Sequence, residues 1–183
     1  MASQKKQAAY EAAFEKNLLS GINCAAIVRV MAFNQEAMTV DVAPLVRRPM
    51  GDSYQTPPPI LSVPVAAVKG GGFIVRPWYK AGDVGAVIYL DADSDNAISG
   101  GEACNPNTER LHSGDDAVFI GGIFAGAAPS PGLPEESFVL STEDGATYIA
   151  VSPRGILIKG DVQIEGSIKT SKTITPNTSV DVE

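Results

Sequence analysis

The chain has few charged residues and few aromatic ones. Of its 183 residues, 19% are charged and 7% are aromatic, and the formal net charge is −7. This negative balance argues against nucleic-acid binding by phosphate neutralisation, which needs a basic face. No run approaches the roughly 18 apolar residues that a membrane helix requires. Lysines near the N-terminus are not followed by an apolar segment, so no secretory signal is predicted.

Cysteine and histidine are also scarce. Cys24 and Cys104 are too few for a disulfide framework, and we expect two reduced thiols in a protein made in the cytosol. His112 is the single histidine. The sequence has no Cys/His set at metal-ligand spacing and no G-x-S-x-G motif. We therefore expect neither a cofactor nor enzymatic activity.

Glycine and proline, in contrast, are abundant. The chain has 18 glycines and 13 prolines, which together exceed the usual share of about 12%. Hydrophobic residues make up 44%, enough to form a core. A small, charge-poor chain interrupted so often by Gly and Pro is typical of a mainly β fold.

Residues 1–21 are predicted to form an N-terminal helix. Residues 3–20 are rich in helix formers and contain neither Pro nor Gly, and Gly21 is a suitable stop. Tyr10, Phe14 and Leu18 are spaced four residues apart, so they share one face of the helix. That face packs either on the chain's own domain or on a partner protein.

Residues 22–124 are predicted to form a small β-barrel of the OB type or a sandwich. Polar and apolar residues alternate in Met38–Val42, as in a half-buried strand. Breaks at Pro57–Pro59, Gly70–Gly72 and Ala81–Asp83 separate about six short strands.

The remaining residues are predicted to be a Gly/Pro linker, 125–134, and an extended ribbon, 135–183. About 49 residues cannot form a core alone. Five aliphatic residues share one side of the ribbon because the side chains of an extended chain alternate. Three copies could turn that side toward a common axis, so a homotrimeric β-prism is expected. Its predicted core residues are Ile156, Ile158, Val162, Ile164 and Ile168.

An acidic loop at residues 91–102 matches the EF-hand pattern at positions 1, 3, 5 and 12. Asn96 replaces the usual glycine. The preceding Val84–Leu90 reads as a strand, and no helix is predicted after Glu102. A solvated acidic loop is therefore expected, with calcium binding as the alternative. Trp78 and Tyr79 could stack on a ligand, but packing at a barrel or subunit interface is the expected role.

Residues 22–124 resemble the N-terminal OB domain of phage baseplate central-spike proteins. The similar stretches, in order, are Pro58–Val65, Lys69–Phe73, Lys80–Gly85, Ser99–Gly101, Arg110–His112 and Asp115–Val118. The C-terminal ribbon looks like the start of the triple-stranded β-helix that follows this domain in such proteins.

The resemblance implies a homotrimeric central spike in the baseplate of a contractile phage tail, or of a tailocin. On sheath contraction the spike would puncture the host outer membrane, and before that it would plug the hub. The tail hub protein would lie above it, and Tyr10, Phe14 and Leu18 would contact that hub.

Longer members of the family end in a His-x-His iron site. This chain has no histidine after His112, so no apical iron site is expected. The needle is then either short and blunt or capped by a separate tip protein. The alternative function is an OB-type binding module that recognises a host-surface oligosaccharide. A fused peptidoglycan hydrolase ranks last, since no catalytic pair is present.

Overall fold

The computed structural model describes residues 2–124 and 132–172. Contacts divide the chain into two compact units, residues 1–126 and 127–183, and each unit is described by itself. Most of the predicted linker at 125–134, and the predicted ribbon beyond residue 172, lie outside the described residues.

The described chain is mainly β, as predicted from its composition. Neither of its helices is long and apolar enough to span a membrane. The first unit contains α1 (Ala2–Gly21), β1 (Ala25–Asn34), β2 (Thr39–Pro44), β3 (Arg48–Met50), β4 (Ser53–Gln55), β5 (Ile60–Pro64), β6 (Lys69–Gly70), β7 (Phe73–Ile74), β8 (Val84–Tyr89), α2 (Asp95–Gly100) and β9 (Ala117–Gly122). The second contains β10 (Phe138–Ser141), β11 (Tyr148–Ser152) and β12 (Gly155–Lys159).

A curled antiparallel sheet forms the centre of the first unit. Its strand order is β5-β2-β1-β8-β9. An irregularity between Val30 and Ala32 interrupts the pairing of β1 with β2, and such bulges increase local twist and bend. The two edges of the sheet approach each other just after β5, where Val65 forms a parallel bridge with Phe119. The Ala66 N–H donates to the Phe119 carbonyl at 2.8 Å. The sheet is therefore a half-barrel whose edges meet at this point.

The concave side of this sheet holds the core. Every second residue of the long strands points inward, which explains the valine-rich alternation. The buried apolar residues are Val28, Val30, Val40, Val42, Ile60, Val63, Val87, Ala117 and Phe119. Gly85 lies directly under Phe119, and a Cβ at that position would overlap the ring.

Tyr79 and Trp78, which follow one another in sequence, have different environments. The Tyr79 ring packs edge-on against Phe119, with centroids 5.0 Å apart, and against Phe33 at 5.6 Å. Tyr79 therefore packs against the core, the role expected for the pair. Trp78 contacts the edge of Phe33 at 5.7 Å but remains 69% exposed.

The second unit is a three-stranded antiparallel meander in the order β10-β11-β12. Ala150 is the one buried apolar side chain among its described residues. A sheet this small, with one covered side chain, lacks the core that independent stability requires. The triple-stranded β-helix expected in this segment is built from three intertwined chains. It therefore stays a prediction for the single chain described.

Candidate functional site

The meander has one entirely apolar face, which we call the apolar face. Strand register places Phe138 opposite Val151 and Leu140 opposite Ile149. It also places Ile149 opposite Ile158 and Val151 opposite Ile156. Because paired residues lie on the same side of a sheet, all six side chains belong to one surface. Their exposed fractions range from 43% for Ile149 to 78% for Phe138. The face therefore presents six large apolar groups and no ionisable one.

The opposite face of the meander is mixed. It carries the buried Ala150, flanked by Val139 and by Leu157, which is 52% exposed. At its end the Lys159 ammonium lies 5.5 Å from the centroid of the Tyr148 ring, a cation–π contact. This face is therefore partly covered by its own side chains and carries a charge.

The five predicted trimer-core residues are all exposed in the single chain. Ile156 and Ile158 lie in β12, on the apolar face. Val162, Ile164 and Ile168 are 58%, 52% and 61% exposed. They lie in residues 161–172, a segment described throughout and without a strand. Their common inward orientation stays a prediction.

Four residues of the apolar face were not among those predicted: Phe138, Leu140, Ile149 and Val151. The sequence did contain a signal: Phe138 and Leu140 are two residues apart, as are Ile149 and Val151, and Ile156 and Ile158 have the same spacing. Each run is too short to indicate a strand by itself, and their common surface depends on cross-strand register, which the sequence does not display.

The apolar stripe on α1 is a second exposed surface. The Tyr10 and Phe14 rings stack with centroids 6.4 Å apart and planes 13° from parallel, so they share a helix face as predicted. Tyr10, Phe14 and Leu18 are 71%, 54% and 57% exposed. Of the two alternatives, this exposure disfavours packing on the chain's own domain. Contact with the hub stays a prediction.

An ion-pair cluster occupies the long connection between β8 and β9. The Arg110 guanidinium bonds both carboxylate oxygens of Asp116, with Nε at 2.6 Å and Nη2 at 2.9 Å. Its Nη2 also lies 3.1 Å from Asp95 and 3.3 Å from Asp93. The side chains of Asp93 and Asp116 are 1% and 0% exposed. Paired guanidinium–carboxylate bonds of this kind are strong and directional, so the cluster ties the two ends of the connection to each other.

Electrostatics in the cluster follow from this pairing. The Arg110 hydrogen bonds hold the pKa of Asp116 below its ordinary value, and the Ser94 N–H acts in the same direction, while burial opposes them. The pKa of Arg110 is raised, chiefly by its bonds to Asp116 and Asp95. Both groups are therefore kept ionised, as a structural pair requires.

The acidic loop differs from the expected solvated one, because Asp93 is buried. Its Oδ2 accepts a hydrogen bond from the Thr108 hydroxyl at 2.8 Å. Asp93, Asp95 and Asp116 lie close enough together to bind one cation, but the Arg110 guanidinium already contacts all three. Helix α2 begins at Asp95, inside the stretch compared with an EF-hand loop. Calcium binding stays untested, and calcium would have to compete with Arg110.

His112 lies at the end of this connection. Its Nδ1 is 3.7 Å from an oxygen of Asp91, whose side chain is 94% exposed. Its backbone carbonyl accepts a hydrogen bond from the Asn23 amide at 2.7 Å, and its φ of +47° is unusual for a residue with a side chain. These contacts tie the start of β1 to the β8–β9 connection, a structural role.

A shallow cavity of about 510 Å³ lies beside the β6–β7 hairpin. Its wall includes the cationic side chains of Lys69 and Arg76, beside the exposed ring of Phe73. Apolar groups complete the lining, from Met38, Val65, Ala67 and Ile74. Cations beside an aromatic ring favour an anionic ligand that also has a flat or apolar part.

Comparison with protein families identifies the curled sheet of the first unit. Residues 27–122 match the family described as the phage protein Gp138 N-terminal domain. The match spans more than half of the chain and covers the curled sheet from the third residue of β1 to the end of β9. No curated protein matches. The chain belongs to the Gp138 N-terminal domain family and is a phage structural protein.

Proposed function

We propose that this member of the phage Gp138 N-terminal domain family is the central spike of a contractile-tail baseplate. In this function three copies form a needle that plugs the hub and is driven through the host outer membrane when the sheath contracts. The protein acts mechanically and without catalysis, as part of the virion or of a tailocin. The observation that carries the proposal is the apolar face, whose six side chains are left uncovered by the described residues of the single chain.

The curled sheet supports the barrel part of this proposal. Its strand order is β5-β2-β1-β8-β9, and Val65, just after β5, forms a parallel contact with Phe119 of β9. This arrangement agrees with a five-stranded OB barrel that closes between β5 and β9. Such a barrel is compact and has few free edges, which suits a component that transmits axial force.

The needle part depends on association. Apolar surfaces of this kind are rare on monomers and mark contact sites. Turning Ile156, Ile158, Val162, Ile164 and Ile168 of three copies toward one axis would cover them. The α1 stripe provides a separate surface for the hub protein. A separate tip protein below the needle is the alternative to a short, blunt end.

The test is the mass of the purified full chain by light scattering. We expect three times the chain mass of 19.1 kDa and an elongated particle by small-angle scattering. A stable monomer at micromolar concentration would overturn the proposal. An Ile164→Asp variant should lose the trimer, since it places three carboxylates at the axis.

The second candidate function, an OB-type module that recognises a host-surface oligosaccharide, is favoured by the cavity beside β6–β7. Lys69 and Arg76 would bind acidic groups of the saccharide while Phe73 packs on a sugar ring. Titration with purified host surface oligosaccharide tests this function. Binding that is lost in a Lys69→Ala/Arg76→Ala variant would support it, and absence of binding in the parent protein would refute it.

A further inference from the structure

The apolar face begins upstream of the five predicted trimer-core residues. Phe138 and Leu140 in β10, with Ile149 and Val151 in β11, extend the surface that Ile156 and Ile158 begin in β12. We propose that this face packs against the same face of two further copies, so that the trimer chains meet face to face along β10–β12 and intertwine only beyond Lys159. The inference rests on the proposed trimer and adds where, and how, its interface begins.

Backbone pairing decides where the chains pack face to face and where they can intertwine. Within β10–β12, the central strand β11 is hydrogen-bonded on both sides by its own chain. Another chain therefore cannot insert between these strands, and association there has to use side chains. Beyond Gly160, residues 161–172 form no strand. Backbone that lies outside a strand pair can gain hydrogen-bond partners when other chains lie alongside.

The two faces of the meander differ in what they can contact. The opposite face already covers Ala150 and carries the Lys159 ammonium over Tyr148. Three copies meeting through that face would bring like charges together. The apolar face has no ionisable side chain, so identical copies meet through it without repulsion.

Two features indicate that the apolar face is covered by two further copies of this chain. Ile156 and Ile158 belong both to this face and to the apolar side of the ribbon, so one interface continues into the other. The face also offers no charge or hydrogen-bonding side chain with which a different partner would be recognised. Its chemistry is complementary to itself.

The experiment compares aspartate substitutions on the two faces in the full-length chain. Leu140→Asp changes the apolar face at a residue outside the predicted ribbon core, and Leu157→Asp changes the opposite face at a residue of similar exposure, 65% and 52%. We expect Leu140→Asp to weaken trimer formation at least 100-fold by concentration-dependent light scattering, and Leu157→Asp to remain trimeric.

The result distinguishes this inference from the proposed function. If Ile164→Asp is monomeric while Leu140→Asp remains a trimer, the face-to-face contact is overturned and the spike stands. If the parent protein is a monomer, both fail. Loss of the trimer in both Leu140→Asp and Leu157→Asp would also overturn the inference, because the effect would not be specific to one face.

A second measurement does not depend on destabilising the sheet. In a background carrying Cys24→Ser and Cys104→Ser, we expect Ile149→Cys to be cross-linked between copies by a short bismaleimide. Tyr148→Cys, the adjacent residue on the opposite face, should not be cross-linked. Equal cross-linking at both positions, or at neither, would overturn the assignment.

Discussion

Substituting aspartate for either of two adjacent residues in β12 tests whether the second unit associates through one face. Ile158 and Leu157 are 51% and 52% exposed and lie on opposite sides of the sheet. In an isolated chain, Ile158→Asp and Leu157→Asp should therefore have similar effects. A trimer that covers one face makes them differ.

The magnitude follows from the uncovered half of Ile158. Burying it in the trimer contributes about 0.8–1.5 kcal/mol per chain, half of the value for a fully buried aliphatic side chain. A carboxyl group buried there without a partner costs about 1–3 kcal/mol more. Over three chains the loss is about 5–13 kcal/mol, which weakens association by roughly four orders of magnitude or more.

The assay is sedimentation equilibrium of the full-length variants over a range of protein concentration. We expect Ile158→Asp to sediment as a monomer at micromolar concentration and Leu157→Asp as a trimer. Equal association constants for the two variants would refute the reasoning, since the interface would then not distinguish the faces.

Three further predictions concern the first unit. Gly85→Ala should lower the free energy of unfolding by about 1–3 kcal/mol in urea titrations because the new methyl group overlaps the ring of Phe119, whereas Gly122→Ala, where the added Cβ has its nearest neighbour at 3.7 Å, should change it far less. The bonds to Arg110 lower the pKa of Asp116 in the folded state from 3.8. The ion pair therefore contributes its full stabilisation above that pH, and this stabilisation is lost as the pH falls through the folded pKa. The melting temperature of the parent should therefore fall more steeply below about pH 4 than that of an Asp116→Asn variant, and parallel curves would contradict the prediction. Phe14→Ala should change the free energy of unfolding by less than about 0.5 kcal/mol, since the ring is 54% exposed; a loss of several kcal/mol would show that α1 packs on its own domain.

Local patterns predicted the elements that depend on local physics. The run of helix formers before Gly21 predicted α1, and the alternation around Val40 and Val42 predicted a half-buried strand. The Gly/Pro content predicted a mainly β chain. These features follow from backbone propensity and from side-chain periodicity, both of which are visible in a short window of sequence.

The candidate surfaces were predicted in part. The even spacing of Ile156 and Ile158 identified one strand of the apolar face. Phe138 and Ile149 were missed because each lies in a different short run, and cross-strand register brings them together. The acidic stretch at 91–102 was recognised, but the burial of Asp93 was not, because Arg110 and Thr108 reach Asp93 only after the β8–β9 connection folds back on itself.

The sequence by itself determined that this chain is β-rich, that α1 has an apolar stripe, and that the C-terminal strands leave aliphatic side chains without a core. These properties depend on composition and on spacing between near neighbours. The tertiary structure decided which side chains share a surface: the meeting of Val65 with Phe119, the Arg110 cluster, and the six-residue apolar face. Each of these joins residues from separate segments, so each required the register and curvature of the folded sheets.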